Sequence, residues 1–149
     1  MLSDPELVAA VRWGLEALAL AVQVGVILYL VYQWGAVPER VPSHFDWRGR
    51  PDAWAGRWVL WLMAGVMVSI YVAMSATSGT LRLIEGDVEP RMRESLVMAF
   101  VKLGTVATLG YAIVTMVRVA RGAAQRLQIV VILLTVAGTI APAMLLGRN

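Results

Sequence analysis

The sequence predicts an all-α integral membrane protein: a bundle of four transmembrane helices with an ordered loop capping one face. Three observations carry that prediction. Of 149 residues, 59% are hydrophobic and 15% charged, with a mean hydropathy of +0.70; soluble domains average about 45–50% and about 25%. A globule this small still exposes much of its surface, so the excess cannot be hidden in one core. The apolar residues also gather into four runs, near 13–34, 58–77, 95–118 and 127–146, each close to the roughly 20 residues that cross a hydrocarbon layer about 30 Å thick. Finally, the polar chemistry concentrates in residues 37–58, which hold the only His, three of six Trp, three of six Pro and four of twelve Arg.

The chain reads as a single membrane domain, 1–149. Ser3-Asp4-Pro5-Glu6 has the form of a helix start: a capping residue, Pro near the first position and acid in the first turn. Its acidity, and the length of the run behind it, argue against a cleavable signal. The first span leaves through Tyr29, Tyr32 and Trp34, aromatic residues suited to an interface, and carries Gln23 as its one polar residue mid-span. In the second span Gly65, Ser69, Ala73 and Thr77 recur every four residues, a spacing that predicts a close-packing seam. Ser78-Gly79 is expected to end that helix, with 80–89 a weakly alternating connector and Pro90 restarting the next helix. The third span holds Lys102. A short basic link, 118–126, makes the third and fourth spans antiparallel neighbours. Ala137 and Ala141 predict a second seam, and Pro142 a local kink.

Charge excludes some functions and orients the rest. Twelve of thirteen basic residues are Arg, and they flank spans, so the net charge of +3 points to headgroups and not to nucleic acid. The face bearing residues 37–58 and the basic link has Arg40, Arg48, Arg50, Arg57, Arg118, Arg121 and Arg126. The other has Arg12, Arg82, Arg91, Arg93 and Arg148. The excess, with an acid-free link, leans towards a cytoplasmic 37–58 loop. The chain has no Cys, which removes disulfides, thiolate zinc sites and cysteine nucleophiles.

Within 37–58, Pro38 and Pro42 bias Val37 and Val41 towards extended backbone. Asp46 is placed to accept amides two residues on, Gly49 to supply a positive φ, and Pro51-Asp52 to make a second turn. Trp47, Trp54 and Trp58 suit headgroup depth. His44, Asp46 and Asp52 are the metal candidates, if any, and His44 the one credible base, but offsets of two and six match no metal motif. The competing structural reading has His44 bonding a turn carbonyl, the acids capping turns, and Asp52 open to Arg48, Arg50 or Arg57.

Pro38, Val41-Pro42, His44-Phe45-Asp46, Gly49, Pro51-Asp52, Trp54 and Arg57 resemble the SdpI-like family of bacterial membrane proteins. Their shared module of unknown function carries Leu-Pro-x-x-Ile-Pro-x-His-Phe-Asn-x-x-Gly-x-x-Asp-x-Trp/Tyr-x-x-Lys after its first span. The likeness covers about 50 residues; Asp46 stands in place of Asn and Arg57 in place of Lys. It implies a multi-pass protein of the bacterial inner membrane. It further implies a receptor, immunity or signalling role in which His44, Asp46, Gly49, Asp52, Trp54 and Arg57 bind a ligand or structure the loop. The partner would be a peptide, a lipid or a protein. A small-solute transporter or channel subunit, working as a homo-oligomer, is the alternative; a metal-dependent membrane enzyme is a third. No cofactor and no catalytic residue is expected.

A second constellation lies at the opposite face. Glu16 opens the first span and Lys102 the third, both from the same side, so they reach similar depth. Ionisable groups inside a bilayer turn inward and pair, and the expectation is a Glu16–Lys102 ion pair, near Arg12, against separate snorkelling to water.

Overall fold

The computed structural model describes residues 5–84 and 88–146, with side chains except those of 5, 77–84, 88–93, 143, 145 and 146. Ser3, Asp4, Glu85, Asp87 and Arg148 lie outside the described residues, as do the side chains of Thr77, Arg82, Arg91 and Arg93. Helix α1 spans Pro5–Gln33 and ends in a 3-10 turn, Trp34–Ala36. Strands β1 (Arg40–Phe45) and β2 (Pro51–Gly56) follow, then α2 (Val59–Ile84), α3 (Val88–Ala120) and α4 (Ile129–Leu146). Among the described residues, three helical stretches are long and apolar enough to cross a membrane: Glu6–Ala36, Val59–Ala76 and Glu94–Ala120. The apolar part of α4, Ile129–Pro142, is shorter. Large apolar residues such as Leu18, Leu28, Leu62 and Leu134 face outward, a surface suited to lipid more than to water.

The fold is therefore not purely helical. Residues 37–58 form an antiparallel hairpin, with Arg40 opposite Gly56, Pro42 opposite Trp54 and Phe45 opposite Pro51. The expected second turn at Pro51-Asp52 is instead the start of β2. Pro38 and Pro42 hold Val37 and Val41 extended as foreseen, Val37 at φ −78° and ψ 124°.

Helix α3 is the centre. It packs against α1, α2, α4 and β1, whereas α1 and α2 scarcely touch. Gly110 of α3 lies where a Cβ would stand 2.8 Å from Val26, and one on Gly104 would stand 2.1 Å from Thr139 of α4. Glu16 meets Lys102 at one end, and Gln33 accepts from Arg121 at 2.5 Å at the other, so α1 and α3 run parallel and in step. The core gathers Val26 and Leu30 of α1 with Leu60, Ala64 and Met67 of α2 and Val106, Ile113 and Val117 of α3. Val37 and Val41 close it from above.

Features of α2, α3 and α4 differ from expectation. Ser78-Gly79 does not end α2, which runs on to Ile84, and α3 starts at Val88, ahead of Pro90; a Pro in the first turn costs no helical hydrogen bond. Gly65, Ser69 and Ala73 face outward, and a Cβ on Gly65 would touch nothing within 4 Å. The face that packs is the neighbouring one, Leu60, Ala64, Met67 and Tyr71, because bulky side chains fill the space against α3. Ala137 and Ala141 likewise face outward.

Candidate functional site

The hairpin tip is built by local chemistry. Asp46 N–H donates to Arg50 O at 2.8 Å and Gly49 N–H to Asp46 O at 2.9 Å, leaving a three-residue loop with Gly49 at φ +74°. That loop form calls for a residue in the left-handed region at its last position, and Gly takes it without strain. The Asp46 carboxylate accepts the amides of Arg48 (2.8 Å) and Arg50 (2.7 Å) through one oxygen, the side-chain turn expected of it.

The tip is also docked. Gly49 O accepts the Leu127 amide at 2.8 Å, and a Cβ on Gly49 would lie 1.9 Å from Leu127 O. The α3–α4 link that offers Leu127 is itself shaped by a helix cap. With Gly122 at φ +72°, Ala123 N–H reaches Arg118 O and Gly122 N–H reaches Val119 O, the paired bonds of a glycine-terminated helix. Tyr111 accepts the Gln128 amide through its hydroxyl at 3.1 Å and seats the start of α4. At the hairpin's open end, Arg57 N–H donates to Glu39 O, and its guanidinium lies 4.8 Å over the Trp34 ring. Trp34 packs on Trp61 at 5.6 Å between centroids. Arg57 thus ties the exit of α1 to the entry of α2.

The six loop residues singled out by sequence now separate. Asp46 and Gly49 build the tip, Arg57 anchors the base, and Trp54 sits half-open across from Pro42. His44 and Asp52 remain on the open surface, with side chains 70% and 47% exposed, and His44 Nδ1 lies 2.6 Å from Asp52 Oδ1. Among the described residues His44 bonds this carboxylate and no turn carbonyl, and Asp52 pairs with it and with no arginine. A carboxylate on Nδ1 fixes the ring and leaves Nε2 as the nitrogen open to a ligand. Asp46 is turned to the backbone, and among the described residues no three His, Asp or Glu side chains gather as metal ligands.

The second constellation is assembled inside the bundle. Lys102 is 2% exposed and donates to Glu16 Oε1 at 2.6 Å and to Ser75 Oγ at 3.1 Å. Tyr71 donates to Glu16 Oε2 at 3.3 Å, and its ring lies 5.0 Å from the ammonium. Ser75 donates in turn to Tyr71 O at 2.8 Å. One pair foreseen from sequence is thus the middle of a three-helix node. Tyr71 and Ser75 were not foreseen, although Tyr71 continues the four- and three-residue spacing of Leu60, Ala64 and Met67. Arg12 rests on Trp13, 4.4 Å from its centroid. Gln23, on the same face of α1, is buried with its Oε1 unpartnered among the described residues.

A family model described as a domain of unknown function (DUF1648) matches residues 21–68. That stretch takes in the later half of α1, the whole hairpin and the first turns of α2. No curated protein and no solved structure matches the chain.

Proposed function

We propose that the protein is a four-span, SdpI-like receptor, immunity or signalling factor of the bacterial inner membrane, with the hairpin as its recognition element. Helix α4 serves as the fourth span, and the hairpin takes a peptide or protein partner at the His44–Asp52 pair. The observation that carries this is the division of labour within the hairpin. Its inner face (Val37, Val41, Pro42) is buried and its tip and base are tied down, while an oriented imidazole–carboxylate pair is held in the open. An exposed pair of this kind adds little to stability, so the fold does not need it. The match of 21–68 supports the reading by joining span and hairpin as one unit.

The test is capture of partners from detergent-solubilised bacterial membranes by the full chain and by His44→Ala and Asp52→Ala. Both variants insert, and unfold within about 1 kcal/mol of the parent, as expected for removing one exposed cross-strand pair, yet lose the captured partner. Variants that fail to accumulate, or that capture as well as the parent, make the pair structural and end the proposal.

A further inference from the structure

The Gly49–Leu127 hydrogen bond joins two basic segments that are distant in sequence. Arg48 and Arg50 flank Gly49, Arg126 precedes Leu127, and all three are exposed. Among the described residues none of the three forms an ion pair. The acid at the tip, Asp46, is already engaged by two backbone amides, Asp52 is held by His44, Glu39 stands at the hairpin's far end, and the link 121–128 has no acid. Helix α4 begins at Ile129, which adds the positive end of a helix dipole to the same place. The Arg48 guanidinium lies 4.4 Å over the Trp47 ring, itself 77% exposed, and an exposed Trp beside a spanning helix sits at headgroup level.

We propose that this seam, where the hairpin tip meets the α3–α4 link, binds the phosphate of an anionic lipid headgroup through Arg48, Arg50 and Arg126. Guanidinium groups match phosphate in charge and in their forked donor geometry. The apolar spans place the seam at the depth where lipid phosphates lie, which selects a membrane lipid over a soluble polyanion. The bound lipid clamps the hairpin to the third and fourth helices, through side chains other than the His44–Asp52 pair.

The experiment uses the full chain in detergent, titrated with phosphatidylglycerol, with phosphatidylcholine and with inorganic phosphate, bound lipid being counted by native mass spectrometry. Phosphatidylglycerol binds more tightly than phosphatidylcholine, by on the order of fivefold for each arginine engaged, and inorganic phosphate does not displace it. The triple variant Arg48→Gln/Arg50→Gln/Arg126→Gln loses the preference. The control Arg12→Gln/Arg40→Gln, which removes charges from the opposite face and from the hairpin's far end, keeps it. Should the triple variant not fold, the three single variants are read instead, each losing roughly fivefold. Equal binding of the two lipids, an equal loss in the control, displacement by inorganic phosphate, or single variants that keep the full preference would each overturn the proposal.

Discussion

Gly49 answers to two constraints at once. Its φ of +74° strains any residue with a Cβ, and that Cβ would run into the Leu127 carbonyl. Gly49→Ala is therefore expected to lower stability by about 2 kcal/mol or more, combining left-handed strain with overpacking against backbone. Thermal unfolding in a fixed detergent measures it, and Gly35→Ala, where a Cβ meets nothing within 4 Å, is the matched control. Asp46→Ala removes the acceptor of two amides and is expected to cost about 1–2 kcal/mol by the same measurement. The roles of Asp46 and Gly49 within the tip were legible in sequence because both act on neighbours a few residues away. The docking on Leu127 was not, because nothing in either segment encodes their meeting; α3 brings them together.

Among the elements, α2 shows how a sequence pattern misleads. Small residues every four positions mark a surface where helices can approach closely, but they do not say which face is used. Here larger side chains one face over reach α3 first, and Tyr71 and Ser75 extend that contact into the Glu16–Lys102 node. The pair itself was legible from matched depth alone, since two spans entering from one side put their first turns level. For the hairpin the sequence indicates only an ordered loop, since the bulged register at Pro42, His44 and Phe45 breaks the strict alternation that marks a strand. The node gives the prediction at this scale. Glu16→Leu leaves a buried ammonium without its counter-charge and is expected to destabilise by about 3 kcal/mol. Adding Lys102→Leu recovers a large part of that loss. A double-mutant cycle in denaturation measures the coupling, and additive effects would show that the two side chains act independently.

For the whole molecule, the absence of Cys makes its placement in the membrane directly measurable. Ser43 is exposed on the hairpin, so Ser43→Cys reports the side on which that face lies. The arginine distribution predicts a cytoplasmic hairpin: an impermeant maleimide labels Ser43→Cys in inside-out vesicles and leaves it unlabelled in intact spheroplasts. Labelling in spheroplasts would reverse the orientation. The same architecture makes α3 the shared partner of everything else, with α1 and α2 joined to each other mainly through the hairpin above and α3 between.

That arrangement sets an order of events on the ribosome. Lys102 is made 86 residues after Glu16. A chain ending after α2 therefore offers the carboxyl group of Glu16 no ammonium, and within the node only the Tyr71 hydroxyl to donate to it. Because α1 and α2 share few direct contacts, such a half-chain is expected to hold together weakly, and α3 supplies both the counter-charge and the larger packing surface.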